Sequence, residues 1–247
     1  MIIDSFENKE KILLLFLEIS ELEGWNENSL LASFKQNKID EKYLSIIFPN
    51  LLFSLNEFHV EYFNSLAVKQ ISSITDFNNL RVRDKIKELI FQRFYVEKNH
   101  RIALQRLVNF YSNPKNFVQF GIGFKPILFA LKSCYKIADS AWYSIGDSAV
   151  DFNFYSKRFI LAKIIMRCFF TFIKDEDDLK KTKEMIENNI EKIMIFNKFK
   201  QNFKRQASKQ TQDVKSHLES YFINEDLKPK SPKEIFKSLP FIRLLKF

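Results

Sequence analysis

Residues 139–158 read DSAWYSIGDSAVDFNFYSKR and hold the clearest local signal for a helical fold. Gly146 is predicted to take the left-handed conformation that closes a helix. Asp151 is predicted to cap the helix that follows, and Val150 to pack onto Tyr155 as a hydrophobic staple. We therefore expect this stretch, called the junction below, to join two helices.

Apolar residues at helical spacing extend from the junction in both directions. Sheets and hairpins need turn residues, so the low counts of Gly (4) and Pro (6) among 247 residues favour long helices. Helices are predicted at 4–21, 26–34, 40–47, 51–72, 76–94, 100–111, 117–143 with a bend near 121–123, 152–172 and 176–196. The predicted fold class is all-α, a bundle of about nine helices plus a C-terminal amphipathic helix.

The sequence also predicts where the first helices begin and end and which of their faces point toward the core. Gly24 is predicted to end the first helix, while Asn26 and Asp40 are predicted to cap the next two. Two apolar sets are predicted to face the core, namely Ile12, Leu15, Ile19 and Leu22 in the first helix and Ile86, Ile90 and Phe94 in the fifth. These sets predict which helices pack together.

The composition predicts a substantial apolar core, since hydrophobic residues make up 46% of the chain. The high count of 28 Phe has two interpretations, an apolar cavity lined by Phe or an AT-rich genome. Cys134 and Cys168 lie far apart and are interpreted as small core residues in a reducing compartment. The most apolar stretch is interrupted by Lys163 and Arg167, so it is predicted to be a core helix and not a membrane span.

Positive charge is concentrated at the C-terminal end of the chain. Residues 198–247 contain twelve Lys or Arg against five Asp or Glu, whereas the preceding 197 residues contain 27 against 25. A basic tail on a nearly neutral body is typical of proteins that visit an anionic membrane surface. Residues 198–230 are therefore interpreted as a basic linker and 231–247 as a membrane-associating helix.

The last segment alternates apolar and basic residues in the manner of an interfacial amphipathic helix. The candidate membrane-binding residues are Lys233, Ile235, Phe236, Lys237, Leu239, Ile242, Arg243, Leu245 and Lys246. Pro240 would kink or divide this helix. The alternative is that the segment docks on the body as a last core helix.

No catalytic constellation can be assembled from the sequence. Glu97-x-x-His100 matches half of a di-iron carboxylate site, but the required second copy is missing, so we interpret it as a chance pair on the surface. Gly121-x-Gly123 lacks the third Gly and the preceding strand of a dinucleotide-binding loop. The prediction is a protein that is not an enzyme, with no metal and no catalytic cofactor; a helical di-iron enzyme is the weaker alternative.

The short helices of residues 1–50 are similar to a helix-turn-helix end, which would imply DNA binding. Between Gly24 and Asn50 three lysines are balanced by three acids. A DNA-binding protein needs net positive charge in this region to neutralise phosphates. We expect a degenerate helix-turn-helix-like region with no nucleic-acid partner, and keep a TetR-like transcriptional regulator as the alternative function.

Aromatic and charged residues are concentrated in the junction beyond what helix capping requires. Such groupings are typical of protein interfaces, although ordinary aromatic core packing is the alternative. The candidate partner-binding residues are Trp142, Tyr143, Asp147, Asp151, Asn153, Tyr155 and Arg158.

The junction resembles the ubiquinone-biosynthesis accessory family, the ninth component of the coenzyme Q set. The shared motifs are Trp142-Tyr143, Gly146-Asp147 and Asp-Phe-Asn-x-Tyr-x-x-Arg at 151–158, with Gly24-Trp25, Phe48-Pro49 and the helix start at 81–86 upstream. The resemblance runs from about residue 9 to 197. Two departures are Phe154, where the family usually has Trp, and Asn50-Leu51, where it has a Gly-rich turn.

The resemblance implies a TetR-like fold that does not bind DNA. In this fold the body, residues 51–197, would bind an isoprenoid or quinone lipid. It also implies contact with a quinone-ring hydroxylase through Trp142 and Tyr143, and a terminal helix on the membrane. We expect a bacterial protein in the cytoplasm, peripheral on the inner membrane, and a homodimer by analogy of fold. The candidate lipid-binding residues are Phe58, Tyr62, Phe94, Leu128, Leu131, Tyr135 and Ile164.

Overall fold

Helices make up the regular secondary structure of the computed structural model, which describes residues 4–113, 125–147 and 152–192; no strand occurs in these ranges. The helices are α1 (Phe6–Glu23), α2 (Glu27–Gln36), α3 (Leu44–Ile47), α4 (Leu52–Ile71), α5 (Val82–Tyr95), α6 (Arg101–Ser112), α7 (Lys125–Ser144), α8 (Phe152–Phe172) and α9 (180–192). Short 3-10 turns lie at Glu41–Tyr43, Phe77–Asn79 and Lys98–His100. The all-α prediction is confirmed, and the arrangement is consistent with a TetR-like helical fold.

The predicted caps of the first helices are present. Gly24 ends α1 with a positive φ of 91°, and its N–H donates to the Ser20 carbonyl at 3.0 Å. The Asn26 side chain accepts a hydrogen bond from the Ser29 N–H at 2.9 Å and so satisfies one of the open donors at the start of α2. Asp40 accepts from the Lys42 N–H at 3.0 Å, but it caps the 3-10 turn Glu41–Tyr43, and α3 begins only at Leu44 without a side-chain cap.

The inward face of α1 differs from the prediction. The buried residues are Ile12, Leu13, Phe16, Leu17 and Ser20. Leu22, which was predicted to face the core, is 86% exposed. All six residues from 12 to 17 are apolar, so helical spacing alone fits more than one face. Packing against α2, α4 and α6 determines which face of α1 is buried.

The fifth helix begins later than predicted. Asp76 takes a left-handed conformation with φ of 65°, and Phe77–Asn79 form a single 3-10 turn. Leu80 and Arg81 are then extended, so α5 begins only at Val82. The predicted inward residues Ile86, Ile90 and Phe94 are all buried, because the late start leaves the phase of the helix unchanged.

Residues 1–193 form one compact unit; the second unit, 194–247, includes the predicted linker and amphipathic helix, which lie outside the described residues. One apolar cluster runs from Ile12 in α1 to Ile190 in α9. Within it α4 packs on α5 and α7, and α7 packs extensively on α8. Burial of a Phe or Leu side chain contributes about 1.5–3 kcal/mol, so truncating Phe16 or Phe63 to Ala would damage this core.

A buried carboxylate fixes the start of α9. The side chain of Asp175 accepts hydrogen bonds from the Thr182 N–H and from the Thr182 hydroxyl, both at 2.7 Å. Asp178 and Leu179 have positive φ between these two residues, which turns the chain before the helix begins. The predicted start at 176 is therefore too early. No helix among the described residues has the length and apolarity needed to cross a bilayer.

Candidate functional site

The junction begins with a C-terminal helix motif at the end of α7. Gly146 has φ of 77°, its N–H donates to the Tyr143 carbonyl at 3.0 Å, and the Asp147 N–H donates to the Trp142 carbonyl at 3.1 Å. This pair of bonds is the Schellman arrangement, which satisfies carbonyls that the helix leaves open. The predicted conformation of Gly146 is confirmed, and the turn delivers the Asp147 side chain toward α8.

Arg158 of α8 holds the junction together from inside. Its guanidinium donates to the Asp139 carboxylate at 2.5 Å, to the Asp147 carboxylate at 2.9 Å and to the Phe154 carbonyl at 3.2 Å. The residue is only 1% exposed, and its guanidinium carbon lies 3.4 Å from the centre of the Phe154 ring. Arg158 therefore joins the end of α7 to the first turns of α8.

Lys157 completes the cluster on the solvent side. Its Nζ lies 2.5 Å from the second oxygen of Asp147 and 4.8 Å from the centre of the Trp142 ring. The hydrogen bond from Lys157 lowers the pKa of Asp147, which the Arg158 hydrogen bond lowers further, while burial acts in the opposite sense. Burial disfavours the charged form of Arg158, but its hydrogen bonds to Asp139 and Asp147 raise its pKa overall.

Two tyrosine rings project from this cluster into solvent. Tyr143 is 80% exposed and Tyr155 is 56% exposed. Trp142 is half-buried beside Lys157. The structure thus links Trp142, Asp147 and Arg158 in one cluster through Lys157, and Tyr143 and Tyr155 are exposed on the helices beside it. Asp151 lies outside the described residues, as does the side chain of Asn153.

The seven lipid-binding candidates lie on four helices. Phe58 packs edge-to-face on Phe6, and the Tyr62 hydroxyl donates to Glu10 at 2.7 Å. Phe94 is in the core against Phe169 and Phe172. Ile164 is buried, Leu131 and Tyr135 are half-buried, and the side chain of Leu128 lies outside the described residues. The cavities described below are lined by other residues, so the role of these seven stays a prediction.

Glu97 corrects the interpretation of the Glu97-x-x-His100 motif as a surface pair. Its carboxylate is fully buried, with one oxygen 2.9 Å from His59 Nε2 and the other 2.5 Å from Arg93 Nη1. Arg93 is itself buried, and its Nε donates to Asn64 at 2.9 Å. We call this group the buried ionic cluster.

The buried ionic cluster explains why Glu97 tolerates burial. Burial raises the pKa of Glu97, but the charges of Arg93 and His59 outweigh it and hold the pKa below the usual value. The i, i+4 spacing of Arg93 and Glu97 was the available signal in the sequence. It was missed because the same spacing is common on exposed helix faces. Within the described residues no group of three His, Cys, Asp or Glu is arranged to hold a metal ion.

The helix-turn-helix-like region is short and electrically balanced. The helix α3 comprises only Leu44–Ile47, one turn. Lys42 lies 2.8 Å from Asp40, and the exposed Ile46 occupies the solvent side of α3. Recognition helices insert their first turns into the major groove, and a single turn offers few side chains for that purpose.

The turn before α4 has a backbone that usually belongs to glycine. Leu51 has φ of 49° and ψ of −122°, and its N–H donates to the Phe48 carbonyl at 2.9 Å. This is the position at which the resemblance led us to expect a Gly-rich turn. Leu51 thus takes a conformation that glycine adopts more easily, at a cost of about 1–3 kcal/mol in strain.

Two larger cavities open beside this turn. One of 440 Å³ lies among the start of α2, the start of α4 and one face of α6, and one of 210 Å³ lies under Pro49 and Leu51. A third, of 10 Å³, lies beside Arg93 and is large enough for about one water molecule.

The described residues form an all-helical bundle that is consistent with a TetR-like fold, with exposed aromatic side chains at the end of α7 and in the first turns of α8. The family model described as COQ9 matches residues 127–197, a range that contains the whole junction. The predicted resemblance to this ubiquinone-biosynthesis family is thereby confirmed, and the match implies a role in ubiquinone biosynthesis. No curated protein matches the chain.

Proposed function

We propose that this protein is a non-catalytic accessory factor that holds polyprenylated quinone intermediates at the membrane and presents them to a ring hydroxylase. The observation that carries the proposal is the COQ9 match over residues 127–197, which coincides with the side-chain cluster of the junction. Five of its seven partner-binding candidates are held in one place there. A site for docking a protein is expected to be ordered before the partner arrives.

The exposed rings of the junction supply the docking chemistry. Tyr143 and Tyr155 expose most of their surface although each is anchored on a helix that the Arg158 bonds hold fixed. Rigid aromatic side chains beside charged groups are typical of the residues that dominate interface energies. The expected partner is the hydroxylase that acts on the quinone ring.

The physical reason for such a factor is the insolubility of its cargo. Drawing a polyprenyl tail out of a bilayer into water costs about 0.8 kcal/mol per exposed CH₂ group. An apolar helical body removes that cost, and Phe58, Phe94 and Ile164 are candidates for lining the path. The basic segment 231–247 would keep the body near lipid headgroups.

The experiment that tests this function is native mass spectrometry of the full chain with identification of the released lipid. A quinone or prenylated precursor bound in stoichiometric amount is the expected result. A chain that carries no lipid after expression beside an intact quinone pathway, and takes up none from vesicles, would overturn the proposal. The same spectra report whether the chain is a homodimer.

The partner is tested separately by recovery of the hydroxylase on immobilised protein. Tyr143→Ala should reduce recovery at least tenfold, since loss of a central aromatic anchor costs about 2 kcal/mol or more. The matched control is Tyr95→Ala, because Tyr95 is 37% exposed on α5, away from the junction. Equal recovery by both variants would remove the junction from the docking role.

A further inference from the structure

The outward side of α8 carries a column of apolar residues. Its members recur at positions i, i+4, i+11 and i+15 and so lie on one face of the helix; they are Tyr155, Phe159, Met166 and Phe170. Phe159 and Met166 are half-buried, whereas Tyr155 is exposed and Phe170 is 53% exposed. The opposite side of α8 is in the core, since Phe172 is fully buried. The column is therefore apolar surface that the described part of the bundle leaves partly open.

A basic column lies beside the apolar one. Lys163, Arg167 and Lys174 are exposed and occur at positions i, i+4 and i+11. Lys174 follows the end of α8, and its N–H donates to the Thr171 carbonyl at 3.0 Å, so the helical turn continues to it. Among the described residues neither Arg167 nor Lys174 has a carboxylate partner, because the ion pairs on α8 are at its start. We call the two columns together the outer face of α8.

The ionisable residues of this stretch are all of one sign. Residues 152–174 contain five Lys or Arg and no Asp or Glu, although residues 1–197 as a whole are nearly balanced, with 27 against 25. Two of the five, Lys157 and Arg158, contact the carboxylates of the junction. The other three form the basic column. The outer face of α8 thus presents positive charge beside apolar surface and contributes no acid of its own.

We infer that the outer face of α8 lies on an anionic lipid bilayer. The apolar column enters the boundary between headgroups and acyl chains, and the basic column meets the headgroup phosphates. Helices that lie in a membrane interface combine these two features, aromatic and apolar side chains beside lysines and arginines. The stem of Lys163 suits this position, because it covers the Phe159 ring, whose centre is 5.4 Å from its Nζ, and its charge can still reach water.

This contact is separate from the candidate membrane helix at 231–247, and it does not depend on the identity of the cargo. The proposed function assigns the membrane to that terminal segment, whereas the outer face belongs to the bundle itself. Tyr155 is both the first member of the apolar column and one of the exposed rings of the junction. A bilayer along α8 would therefore hold the junction near the level of the headgroups.

The charge of the outer face disfavours a contact between two copies of this chain. A two-fold symmetric contact through this face would bring its lysines and arginine close to those of the partner. No acid within 152–174 offsets the repulsion, and like charges across an interface are costly. An acidic protein is also a poorer fit, because two of the three bases are lysines. Ordering a long lysine side chain against a fixed partner costs entropy, and protein interfaces are poor in lysine.

A tryptophan placed on the outer face tests the contact directly. Phe170→Trp puts an indole in the apolar column, and the matched control Tyr95→Trp puts one on α5 at an aromatic position that is 37% exposed. Each full-length variant is added to vesicles of phosphatidylcholine and phosphatidylglycerol in a ratio of about two to one, with or without brominated acyl chains. The emission of Trp25 and Trp142 is subtracted with the unsubstituted chain. We expect bromine to quench most of the emission added by Phe170→Trp and little of that added by Tyr95→Trp.

Binding to the same vesicles tests the two columns separately. Arg167→Gln should weaken partitioning about fivefold, which corresponds to one base near an anionic surface. Phe170→Gln should weaken it about tenfold, because an apolar ring no longer enters the interface. The controls are Arg106→Gln on α6 and Phe6→Gln on α1, which change the same residue types at exposed positions of other helices. The segment 231–247 is present in every variant, and circular dichroism confirms that the helices remain.

The outcomes separate this inference from the proposed function. If the vesicles bind the chain while Phe170→Trp is not quenched and Arg167→Gln matches Arg106→Gln, the bilayer contact is elsewhere and the inference fails alone. Equal binding and quenching with phosphatidylcholine alone would remove the basic column from the contact and also overturn it. If Arg167→Gln and Phe170→Gln change hydroxylase recovery or the mass of the assembly but not vesicle binding, the face serves a protein. If Phe170→Trp is quenched but native mass spectrometry finds no bound lipid, the proposed function fails and the inference stands.

Discussion

Replacing Arg158 by Met should loosen the junction while leaving the helices in place. Met retains the apolar stem that packs under Phe154 but removes every donor to Asp139, Asp147 and the Phe154 carbonyl. The loss of these hydrogen bonds is costly because Arg158 is 1% exposed, so water molecules cannot take the place of its guanidinium donors.

The size of the effect follows from the exposure of the two carboxylates. Breaking a fully buried ion pair costs about 3–5 kcal/mol, and breaking an exposed one about 0–1 kcal/mol. The side chain of Asp139 is 49% exposed and that of Asp147 is 12% exposed, and Lys157 still contacts Asp147. We therefore expect a loss of about 2–3 kcal/mol, which for a domain of this size lowers Tm by about 4–10 °C.

The assay compares thermal unfolding of Arg158→Met with that of Arg167→Met. Both residues lie on α8, but Arg167 is exposed, so its replacement controls for the general effect of removing a charge from this helix. Arg158→Lys should be intermediate, because Lys keeps the charge and lacks the planar fork that reaches two carboxylates. Emission of Trp142 reports whether the junction changes before global unfolding.

A Tm of Arg158→Met within about 1 °C of that of Arg167→Met would contradict this role of Arg158. Such a result would mean that the two carboxylates are satisfied without Arg158, and that Tyr143 and Tyr155 owe their positions to helix packing alone.

Three other predictions concern single carboxylates. The pKa of Asp147 in the folded protein lies below its unfolded value of 3.8. The ionised carboxylate therefore contributes fully to stability above the unfolded pKa, and this contribution is lost as the pH falls through the folded pKa. Asp147→Asn should flatten the fall in Tm between about pH 5 and pH 3. Glu97→Gln leaves a buried arginine without its counter-charge and should cost about 3–5 kcal/mol in urea unfolding, whereas the exposed Glu184→Gln should change it by less than about 0.5 kcal/mol. Asp175→Ala removes both bonds to Thr182 and should cost about 1–2 kcal/mol, with hydrogen exchange accelerated in the first turn of α9; unchanged exchange there would contradict this role.

Local chemistry made several features predictable from the sequence. Gly24 and Gly146 end helices because few other residues take their backbone conformation, and Asn26 caps α2 because its side chain reaches the Ser29 N–H. The range of α8 was predicted to the residue, because its apolar spacing is regular and the junction marks its start. Such signals act within a few residues and need no knowledge of the partner helices.

Features that depend on distant contacts could not be predicted in the same way. The inward face of α1 is decided by α2, α4 and α6, and the run of apolar residues from Ile12 to Leu17 fits several faces. The burial of Glu97 depends on His59, which lies 38 positions away and carries no spacing signal. The cavity of 440 Å³ joins segments near Trp25, Leu52 and Arg106, so only the fold brings its walls together.

The buried ionic cluster also limits the movement of α5 relative to α4. Arg93 belongs to α5 and Glu97 follows it, so a movement of α5 away from α4 would keep this pair together. It would break the contact of Glu97 with His59 and the hydrogen bond from Arg93 to Asn64, both of which lie on α4. The buried ionic cluster therefore holds α4 and α5 together. Among the residues that the structure describes, no ion pair links α2, α4 and α6 where they meet, so we expect this end of the molecule to open more readily than the contact between α4 and α5.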